Sequence, residues 1–240
     1  MAVKKRANVK KRQAINTDRM VKVEPLTENQ SKVFKAWDEG KHLFIYGAAG
    51  TGKTFCALYK GLYDCLKATP SYDQVYLVRS LVATREIGFL PGDHEDKSSL
   101  YQIPYKNMVK YMFEAANDTD FEMLYGALKS QETIKFWSTS FLRGVTLDNS
   151  VVIIDEMQNL NFHELDSIIT RVGENTRIVF CGDAMQTDLR NNNERNGIHD
   201  FMRILEVMPD DFAMIEMGID DICRSGLVRN YLVAKNAVGL

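Results

Sequence analysis

An α/β fold with a mostly parallel sheet flanked by helices is predicted by three observations. Residues 75–78, 151–154 and 178–181 are runs of four apolar residues, the pattern of strands buried on both faces. Helical segments separate these runs, which is the order of a parallel α/β sheet. A short apolar run at residues 43–46 passes directly into a glycine-rich loop and then into a further helix.

Taken in order, Leu26-Thr-Glu-Asn-Gln30 opens a helix through about Asp38, with Val33, Phe34 and Trp37 on one side. The strand at 43–46 and a helix from Lys53 to about Leu66 follow, and Pro70 closes that region. After the strand at 75–78, residues 79–105 hold Gly88, Pro91, Gly92 and Pro104 without sustained period, so a long loop is expected there. Helices at 105–116 and 120–129 and a strand at 133–137 come next. Beyond the strand at 151–154 the pattern gives a helix over about 162–171, the strand at 178–181, a helix from Gly197 to Val207, a strand at 212–217 and a last helix from about Ser225.

With 240 residues, 45% of them hydrophobic, the chain suits one core. Residues 1–22 hold Lys4, Lys5, Arg6, Lys10, Lys11, Arg12, Arg19 and Lys22 against Asp18 alone, so they are expected to form a basic, disordered arm before a single domain at 23–240. The arm suits nucleic-acid phosphates, or is simply a solvated tail. No apolar run reaches 18 residues and no signal peptide is visible, so no membrane partner and a cytoplasmic location are expected. Cys56, Cys65, Cys181 and Cys223 lack metal or disulfide spacing.

The chemistry is concentrated in Gly47-Ala48-Ala49-Gly50-Thr51-Gly52-Lys53-Thr54, a phosphate-binding loop placed between strand and helix. Its glycines let backbone N–H groups curl around a phosphate, and the helix N-terminus adds positive potential. Lys53 is the candidate for the β/γ oxygens of ATP and Thr54 for Mg2+. Asp155 and Glu156 follow a buried strand at the edge where α/β sheets bind ligands, Asp155 as a second Mg2+ residue and Glu156 to orient or deprotonate water. Gln186 and Asp183, after the strand at 178–181, are aimed at the same crevice, Gln186 as a γ-phosphate sensor. Thr27 and Gln30 have capping-box spacing, while the Gln30 amide equally suits the edges of adenine.

Together these segments resemble PhoH-like ATPases, whose core is similar to the first motor domain of superfamily 1 helicases. The likeness is carried by Leu26 to Gln30, the phosphate loop, Ile87-Gly-Phe-Leu-Pro-Gly92, Phe141-Leu-Arg-Gly-Val-Thr146, Asp155-Glu-Met-Gln-Asn159, Thr170-Arg-Val-Gly173 and Gly182-Asp-Ala-Met-Gln-Thr-Asp-Leu189. It implies a RecA-like P-loop NTPase fold, turns Gln30 toward adenine, and couples Gln158 and Gln186 to the γ-phosphate. It also marks Arg143, Arg171 and Arg224 for phosphate contact. Arg79-Ser80 and Ser225-Gly226 depart from the family's pairs, and the chain looks like the compact, stand-alone members often encoded by bacteriophages.

The resemblance implies single-stranded nucleic acid, RNA above DNA, as the material handled; Tyr101, Tyr105, Tyr111 and Phe113 with Lys97, Lys106 and Lys110 are candidates to stack and hold a strand or, more often at such spacings, the core face and solvated face of a helix. One motor-like unit without a second implies self-association, such as a hexameric ring, with Arg224 or Arg171 reaching a neighbour's γ-phosphate. The alternatives are a nucleotide-switched assembly protein with slow hydrolysis and, less well matched to the motifs, a small-molecule kinase.

Overall fold

The computed structural model describes residues 15–79, 94–142, 144–183 and 192–238. Six strands, β1 (His42–Gly47), β2 (Gln74–Arg79), β3 (Ile134–Ser138), β4 (Ser150–Asp155), β5 (Arg177–Gly182) and β6 (Phe212–Met217), form one sheet in the order β3-β2-β4-β5-β1-β6. Every neighbouring pair is parallel. The helices are α1 (Glu28–Asp38), α2 (Lys53–Leu66), α3 (His94–Met112), α4 (Asp118–Ser130), α5 (Phe162–Ile169), α6 (Asn192–Glu206) and α7 (Gly226–Ala237). One strand, β5, separates the phosphate-loop strand from the strand that ends at Asp155, so both deliver their C-terminal ends to one edge. This is the RecA-like P-loop arrangement.

Two apolar layers sandwich the sheet. Leu43, Ile45, Val75, Leu77, Val151 and Ile153 face α1, α2, α3 and α4, whereas Phe44, Val78, Val152, Ile154 and Phe180 face α5 and α6. Alternate residues of one strand thus enter opposite layers, which is why β4 reads as an unbroken apolar run. Each such side chain contributes about 1.5–3 kcal/mol on burial.

Local signals set the helix starts. Thr27 caps α1 by accepting from the Gln30 backbone N–H, Asn117 caps α4 through Asp120 N–H, and Asn161 with Glu164 forms a reciprocal capping box on α5. Gly52 precedes α2 at φ +83°, a left-handed turn that favours glycine.

Two expectations need correction. The loop expected at 79–105 is helical from His94, and α3 continues through Pro104; residues 80–93, with the Ile87–Gly92 motif, lie outside the described residues. The basic arm was expected to run to residue 22, yet residues 15–22 lie against the body. Met20 is buried and bridges Phe113, Val21 N–H donates to the Met112 carbonyl, and Arg19 pairs with Asp120 at 2.7 Å. Apolar Met20 and Ile15 supply the driving force that a purely basic tail lacks. Residues 1–14 lie outside the described residues.

Candidate nucleotide site

Strand β1 ends in the phosphate loop, and backbone geometry there is tightly constrained. Gly47 has φ +114°, and a Cβ on it would run into the Met217 carbonyl oxygen of β6. The loop is closed by its own lysine: Lys53 Nζ donates to the carbonyls of Gly47 at 2.8 Å and Ala48 at 2.7 Å. Burial lowers the Lys53 pKa, against the opposing pull of Cys181, Asp183, Asp155 and Glu156. An ammonium desolvated in this way is short of compensating charge, which phosphate oxygens would supply.

Thr54, the first-turn hydroxyl of α2, donates to Asp155 Oδ1 at 2.6 Å across the gap between helix and β4. The other oxygen, Oδ2, accepts from the Tyr105 hydroxyl at 2.6 Å. Tyr105 comes from α3 and packs on Phe136 of β3, with ring centroids 5.7 Å apart. Burial, then the Asp155 charge, push the Tyr105 phenol far above its ordinary value, so it stays a donor.

Glu156 sits at φ +53°, an uncommon conformation for a residue with a side chain, directly beyond β4. Its carboxylate accepts from Gln158 Nε2 at 2.5 Å and lies 4.0 Å from Arg79 Nη2. Gln158 is buried, and its own oxygen accepts from the Asp183 amide at 3.0 Å, linking β4 to the end of β5. Gly182 makes room for that link, since a Cβ there would strike Gln158 Oε1 and lie 2.7 Å from Met157 Cγ. Arg79 is in register with Asp155 on the neighbouring strand.

On the other flank, Gln30 is buried. Its amide oxygen accepts from Leu26 N–H at 2.8 Å, and its amide nitrogen donates to the Thr51 carbonyl at 2.9 Å and to Cys223 Sγ at 3.2 Å. The cap of α1 belongs to Thr27 alone, and the Gln30 side chain spans helix start and phosphate loop. Cys223 N–H donates to the Gly50 carbonyl at 3.0 Å, and a Cβ on Gly50 would meet Arg224 Cγ at 2.9 Å. Arg224 therefore lies on the phosphate loop of its own chain. This flank is fastened by buried Asp221, which accepts from Thr27 Oγ1 at 2.5 Å, Asn29 Nδ2 at 2.8 Å and Gly218 N–H at 2.8 Å.

The sequence-derived residues thus divide. Gln30, the loop from Gly47 to Thr54, Asp155, Glu156, Gln158, Asp183 and Arg224 converge on one edge. Arg171 does not join them within the chain: its carbonyl accepts from Leu147 N–H beside the entry to β4 and β5, at the N-terminal side of the sheet. Arg143 and Gln186 lie outside the described residues. Within the aromatic and basic set, four residues follow the core-face and solvated-face alternative. Tyr105 and Phe113 are core residues, and Lys106 and Lys110 pair with Glu122 and Asp118, while Tyr111 remains 77% exposed. Tyr105, Val109 and Met112 recur at the spacing of a buried helix face, the signal that separates them from Tyr111. Sequence reasoning missed Tyr105 and Arg79 at the acid pair and Asp221 beneath the flank.

Comparison with known proteins identifies the family of the chain. The family profile described as PhoH-like protein matches residues 22–235. A PhoH-like protein of Mycobacterium leprae (strain TN) is 32% identical over 207 residues, covering 86% of this chain and 56% of that protein. Protein PhoH of Escherichia coli (strain K12) is 28% identical over 210 residues, with the same coverage of 86% and 56%. The chain thus spans little more than half the length of these curated relatives. Among solved structures, the large terminase of a thermophilic bacteriophage in complex with ADP aligns with a TM-score of 0.49 and 13% identity, over 86% of this chain and 49% of that one. With the phosphate loop and the Asp155–Glu156 pair both inside the matched span, the chain belongs to the PhoH-like protein family.

Proposed function

We propose that this domain is an ATPase that binds ATP and Mg2+ between the phosphate loop and the ends of β4 and β5. The observation that carries the reading is the 2.6 Å contact between Thr54 Oγ1 and Asp155 Oδ1. A hydroxyl and a carboxylate meeting beside a phosphate loop are the hard oxygen donors that suit Mg2+. The ion, when bound, neutralises charge on the phosphate oxygens. Lys53 exchanges the Gly47 and Ala48 carbonyls for β/γ oxygens, and the loop N–H groups and the N-terminus of α2 surround the phosphates. Glu156 accepts the proton of the water that attacks the γ-phosphorus; the bond to the bridging oxygen breaks, releasing ADP and phosphate.

Gln158, tied to both Glu156 and the Asp183 amide, transmits the state of the γ-phosphate to β5, and Gln186 is the proposed sensor beyond it. Gln30 exchanges its Leu26 and Thr51 partners for adenine edges. Arg224 contacts phosphate from its own chain, Arg143 is a further phosphate contact, and Arg171 acts only on a neighbouring subunit's site. On this reading hydrolysis serves the handling of single-stranded nucleic acid, RNA above DNA, by a homo-oligomer such as a hexameric ring in the cytoplasm. No helix among the described residues is long and apolar enough to cross a membrane. A second reading, a nucleotide-switched assembly protein, is favoured by the ion pairs that occupy Lys106 and Lys110.

Steady-state ATP hydrolysis with and without single-stranded RNA, alongside solution mass with and without ATP, tests these readings. The ATPase reading expects Mg2+-dependent turnover that Lys53→Ala reduces about 10–150-fold through lost nucleotide affinity, the range of one charge-assisted hydrogen-bonding group. RNA stimulation that fades at high salt supports the nucleic-acid reading. Turnover indifferent to RNA and DNA, with ATP-dependent assembly, supports the switch. Wild-type protein that neither binds nor hydrolyses ATP overturns both.

A further inference from the structure

The Asp155 carboxylate has two oxygens with separate tasks, and each is claimed by one hydroxyl. Oδ1 takes the hydroxyl of Thr54, and Oδ2 takes that of Tyr105, both at 2.6 Å. Thr54 belongs to the phosphate loop and must be free to change partner when a cation enters. Tyr105 has no such freedom. Its ring is 3% exposed and lies against Phe136. The hydroxyl is therefore held from two sides, by the α3 backbone and by the ring contact with β3.

We propose that Tyr105 is a positioning residue for the metal-side carboxylate. By holding Oδ2 it stops the Asp155 side chain from rotating, so that Oδ1 always faces Thr54 and the incoming cation. The inference rests on the reading of this site as one for a nucleotide with Mg2+. It assigns a function to α3, which the motifs do not address, and it ties both acids to structure outside the phosphate loop: Asp155 through Tyr105, and Glu156 through Arg79. Hydrogen-bond partners that orient a ligand of a metal change metal affinity by about 10–100-fold when removed. Unlike the loss of a packing residue, that change depends on the metal.

The test is binding of a fluorescent ATP analogue to wild-type, Tyr105→Phe, Tyr105→Leu and Tyr111→Phe proteins, first in EDTA and then with Mg2+ titrated in, with thermal unfolding followed for each. The phenylalanine variant keeps the ring against Phe136 and removes only the hydroxyl; the leucine variant removes the hydroxyl in a different way. Both are expected to bind the analogue in EDTA within about twofold of wild type and to need about 10-fold or more Mg2+ for half-maximal enhancement. Tyr111→Phe, on the exposed side of the same helix, is expected to follow wild type. An unchanged Mg2+ requirement in the Tyr105 variants, or a loss of affinity equally large in EDTA, overturns the proposal. Wild-type protein that fails to bind the analogue under either condition overturns the nucleotide reading itself, and the proposal with it.

Discussion

Thr54 and Asp155 stand 101 positions apart in the chain and 2.6 Å apart in space. The parallel order of β1, β5 and β4 brings them together, because it sends the phosphate loop and the acidic strand end to one edge of the sheet. The flanks of that edge are held by different devices, and each makes a prediction.

Cys223 is expected to be the reactive thiol. Burial pushes the Cys56 thiol up to about 12 and Cys181 well above its ordinary value, and Cys65 is also buried, whereas Cys223 is exposed. Thiolate is the reactive form, so at pH 8 a maleimide should label one site rapidly, with the other three reacting only on unfolding. Because Cys223 lies against Gln30 and Gly50, bound ATP should slow its labelling. Peptide mapping after timed labelling checks both points, and rapid modification of Cys181 contradicts the structure.

Gly182 is required by a contact and not by its backbone angles. The Gly182→Ala side chain would enter the space of Gln158 Oε1 and Met157 Cγ. Overpacking at such a place costs about 1–3 kcal/mol, and chemical denaturation should show it. Hydrolysis should fall as well, because the atom displaced belongs to the residue that holds Glu156. Normal stability and normal turnover together would exclude the Gln158 link.

Asp221 should shape stability in acid. Burial alone would raise its carboxyl pKa, but hydrogen bonds from Asn29, Thr27 and the Gly218 amide outweigh this and hold it below the ordinary value. A depressed pKa contributes stability that is fully present above the unfolded-state value, about 3.9, and that disappears as pH falls through the folded-state value. Asp221→Asn should therefore be less stable than wild type at neutral pH, and the gap should narrow below about pH 4. Urea unfolding across that range measures the gap, and a gap that is constant with pH contradicts the assignment.

How much of this was legible from sequence follows from how local each cause is. Strand β4 and the phosphate loop are written in contiguous residues, because two-sided burial and tight turning both leave a local trace. Helix α3 was partly hidden: Pro104 and a polar first half suggested a loop, while the aromatic residues toward its end suited a buried helix face as well as a strand-binding one. The Asp221 clamp has no local trace, since its partners Thr27 and Asn29 are 194 and 192 positions away. Arg79 illustrates the same limit. Its place beside the acid pair follows from the register of β2 on β4, which pairs it with Asp155.

Glu156 is the residue proposed to handle water for a nucleotide held by the residues around it. The direct measurement is ATP affinity and single-turnover hydrolysis by Glu156→Gln beside wild type, in the presence of Mg2+. ATP affinity is expected within about threefold of wild type, with hydrolysis slowed by about 100-fold or more, the scale of a lost general base. Hydrolysis at the wild-type rate in the variant would contradict that role.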